Sequence, residues 1–332
     1  MILNYKYTII FLIGLMFSGT ITAQNHPIMK DPFAHTFSIV ARDSVTGEMA
    51  VGVQSHWFSV GPLVAWGKSG VGVVATQSFV NPAYGPNGLK LMEEGKSASQ
   101  ALESLIAEDD GEEYRQVAFL DSSGRTAAHT GTSCVESAFH YTGKNYSVQA
   151  NMMLNDKVVP AMKAAFLEHS KLPLAERVVK VLQAAQNEGG DIRGKQSAAL
   201  IVVGGNKVEN SWEDKKIDLR VDDNAEPLVE LERLLNVARA YEFMNKGDLA
   251  MEAEDVDEAL KQYGNAEKLF PNNLEMKYWK AVALANSKRF EEAIPLFKAI
   301  FEADENWRTM TLRLPASGLL DVTDAELDKI VN

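Results

Sequence analysis

Apolar and polar positions along the chain fall into two regimes that meet near Pro227. Before it, short stretches rich in Val, Ile and Ala recur between turn residues, the pattern of β-strands. The spans that read as strands are 36–42, 48–55, 71–77, 116–120, 126–130, 146–150, 198–203 and 216–221. A hairpin-sized loop ending in Gly47 joins the first two. Helical periodicity fills 89–95 and 97–108, where Ser97 is placed to cap the stripe Ala101, Leu102, Leu105 and Ile106. It returns over 156–169 and 174–187, stopped by Gly189-Gly190. Strands, two helices, strands, two helices, strands is not the alternation of a doubly wound sheet. It predicts two antiparallel sheets packed face to face with helices outside. Spans such as 70–75 and 198–203 are apolar nearly throughout, so both of their faces should be covered.

After Pro227 the chain is helical and repetitive. Gly247, Ala259, Tyr263, Ala266 and Pro271 stand at tetratricopeptide spacing, and a step of about 34 residues lands on Ala281, Ala293, Phe297 and Ile300. Small residues at the helix crossing and an aromatic one turn later let paired helices approach closely. Two such units fall short of the roughly three that stabilise a stack. A helix over 228–243 is therefore expected to dock on the first domain, and a Thr323- or Asp324-capped tail helix to close the far end.

The start of the chain has a different character. Lys6 is the only charge ahead of an apolar run over 8–16, followed by small polar residues and Thr22-Ala23-Gln24. That is the form of a signal peptide, with an apolar core short for a membrane span. The organisation expected is a signal peptide over 1–23, a short segment over 24–35, a sandwich domain over 36–226 and a helical region over 227–332. The mature protein is expected to be exported, periplasmic or secreted, without stable membrane insertion.

Composition narrows the function classes. The 332 residues are 46% apolar, which suits a folded chain rather than a disordered one. Lys and Arg number 33 against 45 Asp and Glu, a net charge of −12 with no basic run, so a nucleic-acid partner is not expected. Cys134 is the one cysteine, which excludes an intramolecular disulfide and a Cys-rich zinc site. His35, His56, His129 and His140 lack zinc-ligand spacing, and no nucleophile elbow, phosphate loop or dinucleotide fingerprint occurs. No metal or cofactor is expected; Asp222-Asp223 could hold a cation only weakly.

Candidate chemistry collects at strand ends, where scaffolds present function. Gly189 to Ser197 brings three glycines together with Asp191, Arg193, Gln196 and Ser197. Gln77 to Pro86 offers Gln77, Asn81 and Tyr84, and Gln149-Ala150-Asn151 ends another strand. These residues equally suit turn backbones that satisfy one another.

Several segments carry a resemblance. His35-Thr36-Phe37-Ser38-Ile39-Val40-Ala41-Arg42-Asp43, Ala75-Thr76-Gln77 with Asn81-Pro82-Ala83-Tyr84-Gly85, Tyr114-Arg115-Gln116, Gln149-Ala150-Asn151-Met152, Gly190 through Ala198 and Asp218 through Asp223 resemble the DUF1028 family, in its order, from about Thr36 to Leu235. That family is placed among the Ntn hydrolases, which implies an α+β fold, a four-layer αββα sandwich, here followed by an all-α tetratricopeptide-like region. Its members have no firmly assigned activity. Ntn hydrolases cut amide bonds with an N-terminal Thr, Ser or Cys whose free α-amine is the base. The resemblance makes Thr36 the candidate nucleophile, Asn151 and Gln77 donors to an oxyanion or substrate, and Lys68 a candidate for lowering the nucleophile's pKa. It gives Asp191 and Arg193 the orientation of the amine or a substrate carboxylate. One departure stands out: a signal cut near Gln24 leaves residues up to His35 ahead of Thr36, so a free amine requires cleavage of the His35–Thr36 bond.

Two readings follow. One is an exported amidohydrolase acting on a peptide, a cell-wall fragment or a small amide. The other is a non-catalytic ligand-binding domain coupled to a helical repeat that holds a protein partner. Cys134 as nucleophile is a minor third.

Overall fold

The computed structural model describes residues 33–34 and 36–332. The expected signal peptide and the rest of the 24–35 segment lie outside the described residues. In chain order the first strands are β1 (Phe33–Ala34), β2 (Thr36–Arg42), β3 (Met49–Ser55), β4 (Ala65–Lys68), β5 (Gly72–Phe79) and β6 (Arg115–Asp121). They are followed by β7 (Thr126–Thr130), β8 (Phe139–Gly143), β9 (Tyr146–Ala150), β10 (Ser197–Val203) and β11 (Lys215–Val221). One antiparallel sheet runs β11-β10-β3-β2-β9-β8. In the other, β6 lies between β5 and β7, while β4 and β1 share the remaining edge of β5, opposite 72–75 and 78–79.

Every strand read from the sequence is present. β1, β4 and β8 are additional, and each lacks a signal for a physical reason. Two residues make no pattern, β4 holds Gly67 and Lys68 in four positions, and β8 is exposed along most of its length.

Period-2 alternation sorts the residues into layers. Phe37, Ile39 and Ala41 of β2, with Val148 and Leu200, lie in one buried cluster with α4 (Val158–Glu168) and α5 (Leu174–Asn187). The opposite faces, Val40, Val51, Val53 and Ile201, meet Val73, Ala75, Ala118 and Leu120 of the second sheet. The outer side of that sheet, Val74, Val117 and Phe119, is covered by α2 (Tyr84–Glu93) and α3 (Ala98–Ile106). Both faces of both sheets are thus covered, which makes an αββα sandwich and explains the unbroken apolar strands. Each Val, Leu, Ile or Phe among them contributes roughly 1.5–3 kcal/mol when fully buried. Helix α1 (Gly61–Val64) is a single turn between β3 and β4.

Helix α3 has the predicted Ser97 cap, completed as a capping box by Gln100. Helix α2 begins at Tyr84, earlier than its apolar pattern. Pro86 falls in its first turn, where a missing N–H removes no intrahelical bond.

The remainder is helical: α6 (Pro227–Glu252), α7 (Val256–Leu269), α8 (Leu274–Asn286), α9 (Phe290–Ala303), α10 (Asn306–Thr311), α11 (Leu314–Ser317) and α12 (Asp324–Val331). Thr323 caps α12 in a second capping box. Helix α6 docks on the sandwich as expected: Leu228, Leu231 and Leu235 join the α4/α5 cluster. No helix among the described residues is long and apolar enough to cross a membrane.

Candidate functional site

Inward-facing positions change character along the sandwich. Where β2, β6 and β10 begin and β3, β5, β7 and β9 end, the space between the sheets holds Thr36, Ser38, Gln77, Gln116, Gln149 and Asn151, all fully buried. Burying amides and hydroxyls is tolerable only when they bond one another. The Thr36 carbonyl accepts Gln77 Nε2 at 3.0 Å and the Asn151 backbone N–H at 3.1 Å, with Asn151 Nδ2 at 3.5 Å. Gln116 Oε1 accepts from Gln77 Nε2 (2.7 Å) and Asn151 Nδ2 (2.9 Å). Ser38 Oγ donates to Gln77 Oε1 (2.6 Å) and accepts from Gln149 Nε2 (3.2 Å). The Thr36 hydroxyl donates to the carbonyl of Ala34, at 2.8 Å.

The network leaves the sandwich through Thr130. Gln116 Nε2 donates to Thr130 Oγ1 (2.9 Å), whose own proton is then free for His140 Nδ1 (2.8 Å). Burial, and then the neighbouring His129, lower the His140 pKa, in keeping with a neutral ring that accepts at Nδ1. His140 borders a cavity of about 430 Å³ together with Thr132, Cys134, Glu136 and Phe139. Burial pushes the Cys134 thiol up, against the assistance of Ser78 and the Gly131 N–H, so the thiolate that a nucleophile needs is disfavoured.

The Gly189–Ser197 loop reaches the same end of the sandwich. Gly189 and Gly190 take left-handed angles (φ +109° and +61°), and Met153 bridges to Asp191. Asp191 is buried and accepts Arg193 Nε (3.0 Å), Arg193 Nη2 (2.7 Å) and the His56 backbone N–H (3.3 Å). Ser197 Oγ donates to the Trp57 carbonyl and accepts the Val60 N–H, while Gln196 Nε2 donates to Asp223. These four residues are brought together, and each is engaged within the protein.

Asn81 and Tyr84 lie on the outer side of the second sheet instead. Asn81 Oδ1 accepts the Ala83 N–H, and the Tyr84 hydroxyl donates to Asp109 at 3.0 Å. Both border a cavity of about 310 Å³ with Glu108, Asp109 and Asp110. Lys68 is not brought to Thr36. It stands opposite Gly72, at the far end of β5 from Gln77, and its ammonium pairs with Glu93 at 2.7 Å on the surface.

Ser38, Gln116, Thr130 and His140 escape a reading of motifs. Gln116 and Gln149 do carry a signal: Gln116 precedes the apolar run 117–120 and Gln149 sits between Val148 and Ala150, each an amide at inward parity. Ser78 is a further residue with no sequence signal. It sits in β5 at φ +74°, a strained angle for a side-chain-bearing residue, and its buried hydroxyl has no hydrogen-bond partner among the described residues beyond the Cys134 thiol. Among the described residues no three His, Cys, Asp or Glu side chains gather where they could hold a metal.

The helical region has its own concavity, about 290 Å³, lined by Asp248, Met251, Tyr263, Trp279, Val282 and Asn286. Known proteins agree with this division. A tetratricopeptide repeat profile matches residues 244–306. A crystal structure of a DUF1028 protein from Silicibacter pomeroyi aligns at 28% identity and TM-score 0.55, over 61% of this chain and 89% of that one. The Anbu (ancestral beta-subunit) structure from Yersinia bercovieri aligns at 9% identity and TM-score 0.32, over 60% and 92%, a likeness too weak to bear on function. A comparison with curated proteins finds no match. The profile of DUF1028, a family of unknown function, covers residues 36–231, more than half of the sequence, and the chain belongs to that family.

Proposed function

We propose that the amide-lined end of the sandwich is an amide-hydrolase site built on Thr36 and released by cleavage ahead of it in an exported chain. One observation carries this reading. Thr36 opens β2 inside the interlayer space, its carbonyl is held by Gln77 and Asn151, and the described groups that bond it are all uncharged. A threonine hydroxyl needs a base, and with Lys68 elsewhere the available one is the Thr36 α-amine itself.

Chemistry supplies a route to that amine. Thr36 Oγ1 attacks the carbonyl carbon of the His35–Thr36 amide; the C–N bond breaks and an ester forms on the oxygen. Water then hydrolyses the ester, releasing the upstream segment as an acid and leaving a free amine. An α-amine titrates near 8, and burial lowers it, so a neutral base is present at physiological pH. Gln77 and Asn151 are positioning residues in this scheme, because their donors already hold the Thr36 carbonyl. The helical repeats fit the holding of a protein partner.

The second reading, a ligand-binding domain without catalysis, draws on the closure of the Asp191–Arg193 pair and of the Gln77–Gln116–Asn151 network. Intact mass and N-terminal sequencing of the chain from its exporting host separate the two. A chain starting at Thr36, acylated on that residue by a β-lactone probe and left unprocessed by Thr36→Ala, is the expected result. A chain that keeps His35 and takes no label selects the binding domain.

A further inference from the structure

We infer that the site takes an extended peptide on the acyl side of the cleaved bond, laid along the edge of β5, with a small residue second from that bond. The inference rests on the hydrolase reading above and names its substrate class.

The chain ahead of Thr36 supplies the argument. Phe33 and Ala34 form a strand that pairs antiparallel with β5, Phe33 opposite Phe79 and Ala34 opposite Ser78. They occupy a stretch of edge that β4 leaves open, because β4 ends its pairing at Ala75. Removal of the upstream segment would open that side of β5 at Ser78 and Phe79, while the other side stays paired with β6, where Ser78 lies opposite Arg115. An exposed edge of this kind is satisfied by another extended chain, and main-chain pairing fixes the incoming peptide in register. The register is already set: the Thr36 hydroxyl lies 2.8 Å from the carbonyl of Ala34, so a chain seated in the same way carries its second acyl-side residue opposite Ser78.

The room at that level is small. Ala34 is completely buried, within the cluster that includes Val60, Ala75 and Val80. Side chains larger than that of alanine or serine would have to displace close-packed neighbours, which interiors resist. Ser78 adds a polar handle. Its hydroxyl is buried, has no hydrogen-bond partner among the described residues beyond the weakly bonding Cys134 thiol, and stands on the residue that faces Ala34. A polar group of an incoming chain would satisfy it.

During turnover the acyl carbon of the peptide bonds to Thr36 Oγ1 as its C–N bond breaks. The hydroxyl proton passes through the α-amine to the leaving amine, and water then releases the acid.

The test uses the processed protein and acetyl-Phe-Xaa-His-coumarylamides, with the labelling of Thr36 by the β-lactone followed in parallel. Alanine, glycine and serine at Xaa should be turned over, with kcat/KM at least tenfold lower for leucine or phenylalanine. In the full chain, Ala34→Leu should slow release of the upstream segment to a similar degree. Labelled Thr36 with equal turnover of alanine and leucine peptides, or with no peptide turnover at all, overturns this inference and leaves the hydrolase reading standing. A chain that is never cleaved and never labelled overturns both.

Discussion

At the scale of the residue, the firmest electrostatic feature beside the site is the ion pair of Arg115 and Asp109. Their side chains are 4% and 11% exposed, the Nε–Oδ2 distance is 2.8 Å, and the guanidinium also donates to the Phe79 carbonyl. Burial alone would raise the Asp109 carboxyl. The hydrogen bond from Arg115, the Gly111 N–H and the Arg115 charge outweigh it and hold the carboxyl below its ordinary range. A depressed carboxyl lends stability that is present above the unfolded value of about 4 and lost as pH falls through the folded one. Asp109→Ala should therefore cost about 3 kcal/mol at pH 7, since it leaves a buried guanidinium uncompensated. Urea denaturation should show the gap to the wild type narrowing at pH 3; an equal gap at both pH values contradicts the assignment. Residues of this kind are only half legible in sequence. Gln77 and Asn151 stand out as polar residues at strand ends, Thr36 enters through the family resemblance, and the structure brings the three into one hydrogen-bond network. Lys68 enters through the family resemblance alone, and strand pairing carries it to the opposite end of β5, a matter of register that no local pattern encodes. Ser78 is invisible for another reason, because its interest lies in a backbone angle and a hydroxyl that meets only the Cys134 thiol.

At the scale of the element, spacing was a better guide than propensity. The repeat unit is read from small residues at fixed offsets, and the geometry gives the reason: a Cβ on Gly247 would stand 2.4 Å from the Tyr263 ring where α6 crosses α7. The ring cannot swing away freely, because its hydroxyl donates to Asp248 at 2.8 Å. Gly264 lies in the same hairpin, but a Cβ there would meet nothing within 4 Å. The two glycines should respond in opposite senses. Gly264→Ala gains about 1 kcal/mol of helix propensity, while Gly247→Ala loses that gain to overpacking and ends about 1–2 kcal/mol less stable. Guanidine titrations followed by far-UV circular dichroism would decide, and a stabilised Gly247→Ala would mean that the helices do not cross there. Strands β4 and β8 mark the limit of such reading, since a short strand with glycine and an exposed strand carry no periodic signal.

At the scale of the whole molecule, helix α6 decides whether there are one or two folding units. Its 26 residues span about 39 Å at ~1.5 Å each. Leu228, Leu231 and Leu235 belong to the sandwich core, while Ala240 and Met244 belong to the repeat core. Lys180 pairs with Glu232 at 2.9 Å and Glu176 with Arg239 at 2.7 Å, so α5 grips the same helix by charge. The DUF1028 profile ends at 231 and the repeat profile begins at 244, both inside this helix. Two repeats are too few to stand alone, and α6 gives them a wall by belonging to both cores. A chain ended at Glu226 should then lose more than its repeats. It strips three buried leucines from the sandwich, roughly 5 kcal/mol by transfer, and leaves Val202, Ile217 and Val221 under-covered. A chain ended at Asn245 keeps those contacts and both ion pairs, and should unfold near the temperature of the sandwich in the full chain. Calorimetry on the two truncations tests this directly. Equal melting temperatures would mean that the sandwich closes without α6, whereas a large drop confined to the shorter chain would make the helix part of the DUF1028 domain and the site-bearing sheets dependent on the arm that carries the repeats.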